Sequence, residues 1–174
     1  PTAAQTAPIN GMVVTDVNND NNLDILLVGN DYGNEVFAGR YDAFTGLTLL
    51  GDGKGSFDVV LSAESGFYAA GDAKGLVKLY GKGGEDVFVV SQNKDSLCVF
   101  VRNSSIPAEV LSIEPLEHSA DLIYSDGQRQ RIEFYYGSGY LSQSSRKLRI
   151  PKGIKEIVLY DFRGNSRKIT PVKS

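Results

Sequence analysis

Between Asp16 and Asp24 the chain reads DVNNDNNLD, flanked by the short aliphatic runs GMVVTDV and LDILLVGN. Both runs are rich in β-branched residues and lack a helical period, so the segment joins two strands and not two helices. Its oxygen-bearing side chains recur at alternate positions: Asp16, Asn18 and Asp20, then Asp24, with Asn22 left to offer its backbone carbonyl. A hard cation such as Ca²⁺ takes roughly six to eight oxygens in a flexible shell, and alternate positions of a short loop supply most of them. Asp16, Asn18, Asp20, Asn22 and Asp24 are therefore the candidate ligands of one Ca²⁺. Without a cation, three carboxylates this close repel one another. The plainer alternative is a turn that binds nothing, because Asn and Asp favour turns on their own account.

Two positions separate this loop from an EF-hand. Asn21 stands at the sixth position, where such a loop needs Gly, and Leu27 at the twelfth, where it needs a bidentate Glu. A DxNxDxxxD loop between strands instead resembles the calcium loop of FG-GAP/VCBS repeats, the blades of integrin-like β-propellers. That resemblance implies a β-blade with a Ca²⁺ in its loop.

The rest of the chain fits short strands joined by tight turns, with 19 Gly, 9 Tyr, 8 Phe and no Trp. PTAAQTAPIN, residues 1–10, reads as a linker or cut edge with little order of its own. A strand is expected around Glu35–Ala38, and LTLLGDGKGSFDVVL reads as a hairpin turning at GDGKG. GDGKGS is not a phosphate-binding loop: it lacks the full spacing and precedes a strand-like run, not a helix. A second unit, AAGDAKGLVKLYGKGGEDVFVVSQNKDSLCVF, aligns with the first. Asp72 falls on Asp16, Asp86 on Asp24, and Val99–Phe100 on Val36–Phe37. In this alignment the connection lengthens to DAKGLVKLYGKGGED and loses its alternating acids, so one Ca²⁺ site is expected and not two.

The likeness to FG-GAP/VCBS repeats covers most of residues 11–103. Propellers close with about four to eight blades, so two blades make an incomplete propeller, expected to be the C-terminal part of a larger protein with open blade edges. NSSIPA, around residues 104–108, reads as a boundary. Turn signals at Ser125–Asp126–Gly127 and Arg163–Gly164–Asn165 mark hairpins beyond it. GSGYLSQSSRKLRIP resembles the hallmark of the ASPIC/UnbV module, over about Asp121–Ile169. That module shares chains with FG-GAP repeats in the cartilage acidic protein family and in many bacterial envelope proteins. SSRK stands where the family usually has an acid and a proline. The expected architecture is all-β: two propeller-type blades over 11–105, then a small antiparallel β-sandwich-like domain over 106–174.

Catalysis finds little support. His118, the sole histidine, neighbours Ser119 and Asp121, but residues adjacent along an extended segment do not converge as a triad must. One His without clustered Cys does not make a zinc site. Cys98, in SLCVFV, reads as a buried, inert thiol. Tyr135, Tyr136 and Tyr140, beside Ser142, Gln143, Ser144 and Ser145, suggest either a sugar-binding surface or ordinary core-and-rim residues of a sheet. Tyr140, Gln143 and Arg146 are the candidate ligand contacts.

Charge is uneven along the chain. Residues 1–126 hold 7 Lys/Arg against 18 Asp/Glu, and residues 127–174 hold 11 against 3. The basic set Arg129, Arg131, Arg146, Lys147, Arg149, Arg167 and Lys168 invites a polyanion, although solvated strand faces explain most of it and no nucleic-acid motif accompanies it. There is no transmembrane run and no visible export signal. The expected function is a non-enzymatic, calcium-binding module, extracellular or in the cell envelope, serving adhesion, ligand capture or assembly. Its expected partners are a surface protein or glycan, the rest of its own propeller, or a second copy through open edges. The alternatives are a carbohydrate-binding module for glycan uptake and the accessory part of an enzyme whose active site lies elsewhere.

Overall fold

The computed structural model describes residues 1–103 and 109–171, so the expected boundary at 104–108 lies outside the described residues. The fold is all-β, built from four antiparallel sheets of which none closes. The first is a meander of β1 (Ile9–Thr15), β2 (Asp24–Gly29), β3 (Leu47–Gly51) and β4 (Phe57–Val60). The second is a meander of β5 (Ala73–Tyr80), β6 (Asp86–Gln92) and β7 (Cys98–Val101). Further on, β8 (Val110–Ser112) pairs with β11 (Lys147–Arg149). The fourth sheet runs β10 (Arg129–Glu133), β9 (Glu117–Tyr124), β12 (Ile154–Asp161), β13 (Ser166–Ile169).

These sheets belong to two compact units. Of the described residues, 1–103 and 137–145 form one; 109–136 and 146–171 form the other. The segment 137–145, expected with the C-terminal domain, therefore belongs to the first unit. It runs along the free edge of β5, where the Ser145 amide donates to the Lys78 carbonyl (2.8 Å) and the Lys78 amide donates to Ser144 Oγ (3.0 Å). An edge strand with unpaired backbone groups is thereby covered.

In the first unit, alternation along β1 buries Gly11, Val13 and Thr15 and exposes Met12 and Val14. Val13, Leu26 and Val28 from the first sheet meet Ala73, Leu76, Phe88 and Val90 from the second, with Phe67 and Ala69. The other side of the first sheet buries Leu27, Phe44, Leu47 and Leu49. Strand β2 is thus covered on both faces, which explains its unbroken apolar run ILLV after Asp24.

Residues 1–10 are not a linker. Thr2–Gln5 form a 3-10 turn, and Ala3, Ala4 and Ala7 pack onto the Leu27–Leu49 cluster. Ile9 and Asn10 already belong to β1. Small residues allow this close seat: a Cβ on Gly29 would lie 1.8 Å from the Pro8 carbonyl oxygen. Gly29→Ala is accordingly expected to cost about 1–3 kcal/mol and to open the chain near Pro8 to proteolysis. Urea unfolding and limited digestion would show it, and a neutral, protease-resistant variant would contradict this docking.

Two further expectations need correcting. Residues 36–38 form a turn and not a strand, with Val36 94% and Phe37 100% exposed. Among the described residues no strand pairs with them; the chain instead closes on itself through the Asp31–Tyr41 bridge. Both aligned stretches form antiparallel hairpins, but in a different register from the expected alignment. Thr15 pairs with Asp24 in one hairpin and Tyr80 with Asp86 in the other, so Asp86 does match Asp24 while Asp72 does not match Asp16. AKGLVKLY is the strand β5 itself, and the second connection is the short turn 81–85. The GDGKG hairpin forms as expected, with the Asp52 carboxylate accepting the amides of Lys54 and Ser56.

The second unit has its own core of Ile113, Ala120, Leu122, Leu148, Ile157 and Leu159. Ser125–Asp126–Gly127 and Arg163–Gly164–Asn165 turn the hairpins β9–β10 and β12–β13.

Candidate metal loop

Asn and Asp side chains shape the β1–β2 loop from within. One Asp16 oxygen accepts the amides of Asn19 (2.6 Å) and Asp20 (3.3 Å), and the other accepts that of Asn21 (2.9 Å). Asn18 Oδ1 takes the Asp20 amide (3.1 Å), and the Asp20 carboxylate takes the Asn22 amide (2.7 Å) and the Asn18 amide group (3.0 Å). Such turns need left-handed residues, and Asn19 (φ 66°) and Asn21 (φ 70°) provide them where Asn is tolerated best. Asn22 packs its side chain against the β3–β4 turn, since a Cβ on Gly53 would come within 2.4 Å of its Oδ1.

Asp24 differs from its neighbours in being wholly buried. Its oxygens accept the Val17 amide (2.7 Å) and the Gly51 amide (2.9 Å), one each, which leaves each oxygen a second lone pair. Burial pushes its pKa up, two backbone amides act against that, and the charges of Asp20 and Asp16 add to the rise. Asp20, exposed, is lowered: slight desolvation acts against its charge, and the Asn22 amide and the Asn18 side chain outweigh it. All candidate donors are hard oxygens, which suits Ca²⁺ by class. Among the described residues, no three His, Cys, Asp or Glu side chains gather into a metal-holding group by themselves. Any donor set in this loop would have to draw on the Asn oxygens and backbone carbonyls as well as the carboxylates.

The matching hairpin of the second sheet handles the same buried acid differently. Asp86, also 0% exposed, pairs with Arg102 (2.9 Å) and Lys78 (3.3 Å). No Lys or Arg among the described residues pairs with Asp24. Both hairpins thus begin their second strand with a buried aspartate, and only one has side-chain cations to balance it. Sequence reasoning missed Arg102 and Lys78; their signal was two basic residues bracketing an acid that opens an apolar strand. It also missed Asn30, a buried hub whose amide group donates to the carbonyls of Phe44 (2.7 Å), Ala70 (3.1 Å) and Gly71 (3.0 Å) while its oxygen accepts the Phe44 amide (2.9 Å).

The candidate sugar contacts divide between the units. Tyr140 and Gln143 lie in the first, both exposed, with Gln143 Oε1 accepting the Gly137 amide (2.6 Å). Arg146 lies in the second and is committed there. It stacks 4.0 Å over Tyr136, bonds the Tyr136 hydroxyl, and donates to the carbonyls of Glu114, Pro115 and Glu117. Neither unit holds all three contacts.

Much of the basic set is likewise paired within the fold. Arg129 and Arg131 flank the buried Asp121, Arg167 grips Glu117 with two bonds, and Lys168 meets Glu156. Asp121, Glu114 and Glu117 thus take up Arg129, Arg131 and Arg167 within the fold. Around His118, the ring stacks on Phe162 (4.8 Å between centroids), while the Ser119 hydroxyl accepts from Arg131 and Asp121 is held by the arginines. Cys98 is half-buried against the first core, its sulfur accepting from Gln92. Among the described residues, no helix is long and apolar enough to cross a membrane. Compared with protein-family models the sequence matches none, and comparison with curated proteins likewise finds no match.

Proposed function

We propose that this chain is a non-enzymatic, calcium-binding β module of the cell surface or envelope that serves adhesion, ligand capture or assembly. One observation carries the calcium reading: among the described residues Asp24 is buried without a side-chain cation, while Asp86, its counterpart in the second hairpin, is matched by Arg102 and Lys78. A divalent ion in the loop would do for Asp24 what those two side chains do for Asp86. Asp16, Asp20 and Asp24 would hold it through carboxylates, Asn18 through its amide oxygen and Asn22 through its carbonyl. The ion supplies charge compensation and rigidity to the loop.

The outer face of the second sheet fits a partner built like the chain itself. Val77, Val89 and Val99 form one cross-strand row and Leu79, Val87 and Val101 the next, with Val99 and Val101 well exposed. In this reading a further blade covers these rows.

The test is thermal unfolding in millimolar Ca²⁺, in Mg²⁺ and in chelator. At a dissociation constant near 10⁻⁴ M, a millimolar concentration adds about 1–2 kcal/mol. The expected result is a rise in Tm with Ca²⁺ that Mg²⁺ does not reproduce and Asp20→Ala removes. No rise, or a rise that survives Asp20→Ala, would sink the assignment.

A further inference from the structure

Of the two cations that balance Asp86, Arg102 also reaches the loop and Lys78 the residue before it. Arg102 places Nη2 on Asp86 (2.9 Å) and uses Nη1 to donate to the Asp16 carbonyl (2.9 Å) and to Asn19 Oδ1 (3.1 Å). Its backbone amide donates to the Asp86 carbonyl (2.9 Å), which fixes the root of the side chain. Lys78 donates to Thr15 Oγ1 (2.6 Å), one residue ahead of the loop. Arg102 follows β7, so a residue of the second sheet holds the loop between the first two strands of the first sheet.

We infer that Arg102 is a positioning residue for the cation site of the Asp16–Asp24 loop, an inference that rests on the calcium reading above. Its Nη1 grips the turn at both ends, at the Asp16 carbonyl and at the Asn19 side chain. Between those grips lies the bond from the Asn19 amide to the Asp16 carboxylate, which aims the first candidate ligand. Asn19 stands at φ 66°, a conformation that costs free energy unless its surroundings hold it. A guanidinium suits this task because its rigid fork can serve Asp86 on one side and two neutral oxygens on the other. A loop held in this way before the ion arrives loses less freedom on binding it.

A purely electrostatic role predicts the opposite sign. If the charge of Arg102 chiefly repelled the ion, removing that charge would tighten binding and Arg102→Lys would change little. Positioning predicts weaker binding in both, since a Lys ammonium cannot reproduce the fork.

The experiment is calorimetric titration of the whole chain with Ca²⁺, for the wild type, Arg102→Lys, Arg102→Met and Asn19→Gly. Arg102→Lys is expected to weaken binding about tenfold or more, as for other groups that orient metal ligands. Asn19→Gly removes the acceptor, tolerates the positive φ and leaves the buried ion pair intact. It is expected to weaken binding while its urea midpoint stays near that of the wild type, and it decides the matter should Arg102→Met fail to fold. In chelator, the amides of Asn19, Asp20 and Asn21 should exchange faster with solvent in Arg102→Lys than in the wild type. A wild type that binds Ca²⁺ while Arg102→Lys and Asn19→Gly bind as tightly or tighter overturns this inference alone. A wild type that binds no Ca²⁺ overturns the calcium reading and this inference with it.

Discussion

Arg102→Met is expected to lower the stability of the folded chain by about 3–5 kcal/mol, the usual cost of leaving half of a buried ion pair behind. Asp86 is 0% exposed, and the Arg102 side chain is only 7% exposed, so solvent screens their interaction little. Lys78 remains near Asp86 after the substitution, but at 3.3 Å and shared with Thr15. Urea unfolding followed by circular dichroism measures the loss. The double variant Asp86→Asn/Arg102→Met should be destabilised by clearly less than the sum of its single variants, because the uncompensated charge is then gone. A loss below about 1 kcal/mol for Arg102→Met, the range of an exposed pair, would show that the pair is not a buried one in solution.

Arg167→Ala is expected to cost about 3 kcal/mol, near the lower end of the same range because Arg167 itself is partly exposed. Glu117 is buried, yet it is held below the usual glutamate value of 4.5: burial acts against its charge, and Arg167 with the Glu114 amide outweighs it. A lowered carboxylate pKa stabilises the fold at pH above the unfolded value. That contribution is lost as pH falls from about 4.5 through the folded pKa. Asp121, lowered chiefly by Arg129, loses its contribution in the same sense below its ordinary 3.8. Wild-type stability should therefore drop on acidification across this range, and Arg167→Ala should flatten the part that belongs to Glu117. Urea midpoints at several pH values would show both effects. An unchanged acid slope in Arg167→Ala would mean that Glu117 is not paired in solution.

Strand character was legible wherever two-residue alternation met strong turn chemistry. GDGKG, SDG and RGN each turn a hairpin where Gly meets the demand for positive φ. The alternating acids of 16–24 were legible as a loop, because side chains that cap amides two or three residues away act locally. What failed were inferences about distance along the chain. Val36–Phe37 look like a strand by composition, but a strand needs a neighbour and none of the described residues pairs with them. Residues 1–7 look like a linker because Ala and Thr carry little apolar signal, yet small size is what lets them lie against β2 and β3. Aligning Asp72 with Asp16 matched letters across hairpins of different length, when the invariant was the buried aspartate opening β2 and β6. Arg102 and Lys78 escaped notice because a basic residue beside an apolar strand ordinarily faces water.

The strip 137–145 on the edge of β5 has a consequence for how the chain can be made and divided. During synthesis β5 leaves the ribosome long before Ser144 and Ser145, so its edge waits unpaired while β8, β9 and β10 are still being produced. The first unit is finished only when a loop inserted between strands of the second has returned to it. The two units are accordingly not interchangeable cassettes. A cut at 104–108 leaves one fragment with a bare strand edge and the other with a loop that has lost its seat, and an exchange of either unit among proteins has to carry that loop with the first.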